Sequence, residues 1–158
     1  MTLATDTHMQ PGVARANEGP AYNVFGHRII FKHSTAELCG NAFVWEIVSP
    51  AGTMVPPHVH TVEDEFIYVQ EGELEVMIGG QIHHAKAGDL LKMPKHVPHG
   101  IQQVGDTPTR SLWIVSPAGK MEQLFAALGA LPPGPPDPAV VGRIFAEHDL
   151  ELLPPPGL

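Results

Sequence analysis

At 158 residues, with 43% hydrophobic and 16% charged content, the chain has room for one domain with a buried core and reads as a soluble globular protein. Its net charge of −8 argues against nucleic acid and anionic membrane as partners, because both need a basic face. The single cysteine, Cys39, excludes an internal disulfide, and no apolar run approaches membrane-spanning length.

The first residues, MTLATDTHMQPG, have no apolar core and no basic start, so a cytoplasmic location is expected. Residues 1–20 are small, polar and punctuated by Pro and Gly. They read as an N-terminal arm, disordered or draped on a partner subunit. Strand signals begin at Tyr22–Phe25 and Arg28–Lys32, broken at Gly26. Cys39 reads as a small buried hydrophobe. Phe43–Val48 alternates, placing Phe43, Trp45 and Ile47 on one face and Val44, Glu46 and Val48 on the other. Glu46 marks its own face as the outer one, so Trp45 points inward. After a turn at Ser49–Gly52 comes a strand over Val55–His60, bent by Pro56-Pro57.

Phe66–Gln70 and Leu74–Ile78 flank a tight turn at Glu71-Gly72-Glu73. Gly79-Gly80 gives a second tight hairpin, since glycine supplies the positive φ such turns need, and Gln81–Lys86 pairs back. Leu90–Met93, His99–Val104 and Arg110–Val115 complete the strands. Eight or more short strands at regular spacing predict an all-β, antiparallel barrel or jelly roll over residues 21–117. The period then changes. Met121, Leu124, Phe125 and Leu128 fall at helical spacing, with Gly129 as the stop. Asp137-Pro138 is a cap with Pro at the first helical position, opening a second short helix with Val141, Ile144 and Phe145 on its packed side. Residues 118–158 thus read as a C-terminal helical flank.

Ten histidines exceed what structure alone usually needs. His58 and His60 are two apart, which on a strand puts both on one face. Glu65 follows the polar turn Thr61–Asp64 and opens the strand-like run Glu65-Phe-Ile-Tyr-Val69. His99 lies downstream, just past a Pro-containing turn. Asp64 is a candidate for holding a ligand histidine. Gln103 reads equally as a substrate hydrogen-bond donor or a residue that holds the turn. His83, His84 and His96 read as surface or turn residues.

Two blocks frame these residues. The first runs Gly52, five residues, His58-x-His60, four residues, Glu65, six residues, Gly72. The second runs Gly88, five residues, Pro94-x-His96, two residues, His99, three residues, Gln103. Together they closely resemble the two motifs of the cupin superfamily. The first block matches at every fixed position. The second departs twice, with His96 where the family has Gly and Gln103 where it has Asn. The tract Ser116-Pro-Ala-Gly-Lys-Met-Glu-Gln-Leu-Phe125 resembles the small single-domain, quercetin dioxygenase-like cupins. The resemblance implies a double-stranded β-helix, often dimeric, with one divalent metal held by His58, His60, Glu65 and His99.

Three imidazoles and a carboxylate suit Fe, Ni, Mn, Cu or Zn, with little selectivity among them. Four protein ligands on an octahedral ion leave two positions for a substrate and O₂, or for a bidentate substrate. Phe43, Trp45, Ile67, Met93, Ile101 and Gln103 are the expected pocket residues, among inward positions that also include Ile47, Val69 and Leu91. The expected activity is a dioxygenase adding O₂ to a phenolic, flavonol or diketone-like small molecule, with Glu65 as a catalytic proton acceptor. The alternatives are a lyase or isomerase using the metal as Lewis acid, and a ligand-binding cupin without turnover. A homodimer is the expected assembly.

Overall fold

Runs of alternating residues, cut by glycine and proline turns, become eleven strands and two short helices in the computed structural model, which describes residues 8–154. In chain order the strands are β1 (Ala21–Val24), β2 (His27–His33), β3 (Phe43–Ser49), β4 (Met54–His60), β5 (Asp64–Glu71), β6 (Glu73–Ile78), β7 (Gln81–Lys86), β8 (Leu90–Met93), β9 (His99–Val104) and β10 (Thr109–Ser116). Then follow α1 (Met121–Gly129), α2 (Pro138–Glu147) and β11 (Leu150–Leu152). The strands form two antiparallel sheets, ordered β1-β2-β3-β10-β5-β8 and β11-β4-β9-β6-β7. This is the jelly-roll arrangement that the strand spacing predicts.

The core lies where the inward faces of both sheets meet. Phe43, Trp45, Ile67, Val69, Val76, Met93 and Val115 are fully buried there. Phe43 stacks on Trp45 at 5.0 Å between ring centroids, and Trp45 meets Phe125 of α1 at 5.2 Å. Each such ring removes on the order of 150–250 Å² from water, so the aromatic run binds the C-terminal helices to the sheets. Asp137 caps α2 as its sequence predicts: its Oδ1 accepts the Ala139 N–H at 2.8 Å, and Pro138 opens the helix.

Five expectations are corrected. Glu46 does lie on the face opposite Trp45, yet it is buried, because the Arg110 guanidinium covers it in an ion pair. Cys39 is exposed, at the positive φ of 53° in the turn before Gly40. The turn at Gly72 closes no hairpin. β5 belongs to one sheet and β6 to the other, so Gly72, at φ 80°, carries the chain across the barrel corner. Gly129 is the last residue of α1 rather than a left-handed stop. Its bare Cα gives room to Tyr22, whose Cδ1 would lie 2.6 Å from an added Cβ. Finally, the tail contains a strand. β11 pairs with β4 in the register Leu150↔His60, Glu151↔Val59, Leu152↔His58. Three residues carry too little periodicity to be read locally.

Residues 1–7 of the expected arm lie outside the described residues. Residues 8–20 form no helix or strand. Lys32 Nζ donates to the Arg15 carbonyl at 2.8 Å, and the Phe31 N–H donates to the Pro20 carbonyl at 2.9 Å.

Candidate metal centre

Pro56 and Pro57 cannot donate to a sheet ladder, and the β4–β9 pairing shifts register between Val55 and His58. Beyond that irregularity His58 pairs with His99 across the two strands, and His60 lies two residues on. β5 begins immediately after the turn and brings Glu65 in from the opposite sheet. His58, His60, Glu65 and His99 are all buried, none more than 4% exposed.

The three imidazoles converge. One nitrogen from each of His58, His60 and His99 lies within 4.8 Å of the other two. His58 Nε2 and His60 Nε2 are 3.2 Å apart. The Glu65 carboxylate reaches both remaining rings, with Oε2 at 3.5 Å from His60 Nε2 and Oε1 at 3.3 Å from His99 Nε2. His99 Nε2 and Glu65 Oε1 are close but not aligned as donor and acceptor, so both buried atoms lack a hydrogen-bond partner among the described residues. Unmatched buried polar atoms are costly unless something else satisfies them. A cation at the point where the four side chains meet would satisfy both.

The far side of each ring is anchored. His58 Nδ1 lies 2.7 Å from the Pro56 carbonyl, His99 Nδ1 lies 3.0 Å from the Val97 carbonyl, and His60 Nδ1 lies 3.1 Å from Glu63 Oε2. With Nδ1–H donated outward, each Nε2 lone pair is free to bind an ion. The donor set and the orphaned atoms fit a divalent transition metal held by His58, His60, Glu65 and His99.

Charge follows the same geometry. Burial, reinforced by the nearby His99 and His60, lowers the pKa of His58 to about 3, so that ring is neutral. Burial also works against the His60 cation, but the Glu63 hydrogen bond and the Glu65 and Glu63 charges outweigh it and leave the pKa raised. Burial alone would raise Glu65; the His60 charge and the adjacent His99 more than reverse that, so Glu65 remains a carboxylate.

A cavity of about 40 Å³ adjoins the centre. His58, Glu65, Trp45, Trp113, Phe125 and Phe145 are among the residues that line it. Of the six expected pocket residues only Trp45 does so. Its buried indole N–H has no acceptor among the described residues. Phe43, Ile67, Met93 and Ile101 are buried in the core away from the cavity wall. Alternation gives the face of a strand, but not the depth along the barrel at which a side chain sits. Gln103 holds the turn: its Oε1 accepts the Gly52 N–H at 3.2 Å, and its Nε2 donates to the Thr107 carbonyl and to Thr109 Oγ1. Asp64 accepts the Lys95 N–H at 2.9 Å instead of touching a histidine. His96 occupies its turn at φ 67°, a conformation glycine adopts more easily. His83 and His84 are exposed.

Sequence reasoning passed over Glu63. It sits in a polar turn whose composition suggests exposure, and the only local signal was a position three residues past His60.

Residues 44–115 match the cupin domain family model. These residues are a cupin domain. The chain is similar to polyketide synthase CurC of Streptomyces cyaneus, at 31% identity over 77 residues, 49% of this chain and 50% of that protein. It is also similar to quercetin 2,3-dioxygenase of Bacillus subtilis, at 26% identity over 120 residues, 75% of this chain and 35% of that one. The solved structure of KdgF from Halomonas shares the fold with a TM-score of 0.61 at 21% identity, covering 68% of this chain and 94% of that one. The chain spans about half the length of the curated relatives it matches. Cupin relatives differ in function and include enzymes. Among the described residues no helix is long and apolar enough to cross a membrane.

Proposed function

We propose that the cupin domain is the centre of a metal-dependent dioxygenase acting on a small, oxygen-bearing organic molecule of the enolised diketone type. The observation that carries this reading is the set of three converging imidazoles, with the Glu65 carboxylate beside them, next to a confined apolar cavity. A divalent transition metal held by His58, His60, Glu65 and His99 would polarise a bound oxygen atom and, if redox-active, exchange electrons with O₂. The similarity to quercetin 2,3-dioxygenase is consistent with that chemistry.

The chain's own groups divide the remaining work. Glu65 is ionised, and whichever of its oxygens a bound metal leaves free is the atom placed to accept an enol proton. The Trp45 indole N–H offers a hydrogen bond to an oxygen of the ligand. Trp113, Phe125 and Phe145 keep water away from the reacting atoms. Both atoms of O₂ end in the products: a 1,3-diketone plus O₂ gives one carboxylic acid and one 2-oxoaldehyde as a carbon–carbon bond breaks, with no other reductant.

The size of the cavity supports a substrate smaller than a flavonol. Drug-sized ligands occupy pockets of about 300–1,000 Å³, whereas this cavity is about 40 Å³. The test is oxygen uptake by iron-, nickel- and manganese-loaded protein with acetylacetone and with quercetin. Uptake with the diketone, matched one to one by substrate loss and abolished in His99→Ala, is expected, with quercetin turned over far more slowly. Absence of uptake with both substrates on every loaded form refutes the dioxygenase reading, and turnover without O₂ would assign the centre to Lewis-acid chemistry.

A further inference from the structure

Glu63 is wholly buried, with 0% exposure, in the turn between β4 and β5. One oxygen, Oε2, is 3.1 Å from His60 Nδ1, and the other, Oε1, has no hydrogen-bond partner among the described residues. A carboxylate in this position is half satisfied, and burying it costs stability. The surroundings must therefore hold it in place.

They do so through Gly119. A Cβ built on that residue would lie 1.7 Å from Glu63 Oε1, 2.6 Å from Cδ and 2.9 Å from Cγ. Any other residue at this position would occupy the space the carboxylate needs. Gly119 also sits at φ 54°, so the loop shape itself favours glycine. The loop cannot easily back away. On one side the Ala118 N–H donates to the Gly40 carbonyl at 3.0 Å. On the other, Lys120 Nζ pairs with Asp149 at 3.1 Å and donates to the Glu147 carbonyl at 3.3 Å. Met121 then begins α1.

We infer that Glu63, seated against the bare backbone of Gly119, is the positioning residue for His60, so that the link between β10 and α1 fixes one ligand of the centre from outside the barrel. The carboxylate accepts the His60 Nδ1–H, fixes the ring plane and leaves Nε2 facing His58 and Glu65. Gly119 acts only through Glu63. The inference rests on the metal-centre reading above, and its test separates the two.

Four variants decide it: Glu63→Ala, Glu63→Gln, Gly119→Ala and the double variant Glu63→Ala with Gly119→Ala. Two quantities are read. One is the dissociation constant for nickel(II) and zinc(II) by chelator competition. The other is the set of ¹⁵N resonances of the His60 ring in metal-free protein, with circular dichroism reporting the fold. Glu63→Ala and Gly119→Ala should each weaken metal binding by about 10- to 100-fold and shift the His60 ring resonances. Glu63→Gln should stay within about tenfold of the parent, because its amide oxygen still accepts the Nδ1–H. In the Glu63→Ala background, Gly119→Ala should weaken binding no further, as non-additivity within one contact requires.

Unchanged metal affinity and unmoved His60 resonances in Glu63→Ala overturn the inference. A Gly119→Ala loss that adds in full to that of Glu63→Ala overturns the part assigned to Gly119. If Gly119→Ala does not fold, the Glu63→Ala and Glu63→Gln pair still decides. A parent protein that binds neither metal refutes the metal centre, while the His60 resonances still settle the role of Glu63.

Discussion

At the scale of single residues, the centre is defined by which nitrogen of each histidine is already engaged. Backbone carbonyls take Nδ1 of His58 and His99, and a carboxylate takes Nδ1 of His60. That difference has a consequence in pH. His58 is neutral down to about pH 3 and places no proton in the way. His60 keeps its proton above the ordinary histidine value, despite burial, because Glu63 and Glu65 favour the cation. A metal has to displace that proton. Metal affinity should therefore rise with pH through neutrality and level off above the raised His60 value, falling again as pH drops below it. Calorimetric titration in buffers of different ionisation enthalpy should show protons released on metal binding, in a number that grows as pH falls toward the His60 value. Affinity independent of pH between about 6 and 8 would contradict the raised His60.

At the scale of elements, two of the contacts that tie the C-terminal flank to the barrel make predictions. β11 lies along β4, with the Thr61 N–H donating to the Asp149 carbonyl at 3.1 Å and the Leu153 N–H donating to the Pro57 carbonyl at 2.9 Å. The half of β4 that carries His58 and His60 is thereby held on both flanks. Truncation after His148 exposes the edge of β4. It should lower the melting temperature by several degrees, since about 1 kcal/mol corresponds to roughly 2–4 °C in a domain of this size, and weaken metal binding without loss of the β-sheet signal in circular dichroism. The second contact is α1 on β1. Gly129→Ala in a helix ordinarily stabilises by about 0.5–1 kcal/mol. Here the new methyl would meet Tyr22, so the sign should reverse, to a loss of about 1 kcal/mol in denaturant unfolding. A gain in stability would show that Tyr22 yields freely.

At the scale of the molecule, the helices limit what can approach the centre. Phe145 of α2 meets the His58 ring edge-on at 6.0 Å between centroids, and Phe125 of α1 packs on Trp45. Both line the cavity. Phe145→Ala should cost about 3–5 kcal/mol of stability and admit larger ligands. Quercetin binding, followed by fluorescence quenching, should tighten relative to the parent even as the protein melts earlier. If quercetin binds the parent as tightly as the variant, the helices do not set the size limit.

The sequence by itself determined ten of the eleven strands and, through the resemblance to the cupin motifs, named the four side chains of the centre. A period of two residues fixes which face His58 and His60 share, and turn residues mark where Glu65 and His99 begin their strands. Those are local relations, legible over a few positions. It also determined that Trp45 points inward, because a strand's two faces differ in polarity. The tertiary structure alone decided the rest. That Gly72 joins two sheets, that β11 pairs with β4, and that Gln103 holds the turn at Gly52 and Thr107 all depend on partners distant in the chain. Glu63 is the clearest case. Its burial depends on an empty space at Gly119, and no pattern around either residue announces the other. Periodicity encodes direction from the backbone, whereas depth, cavity size and the partners of buried charges are set by what the rest of the chain packs against them.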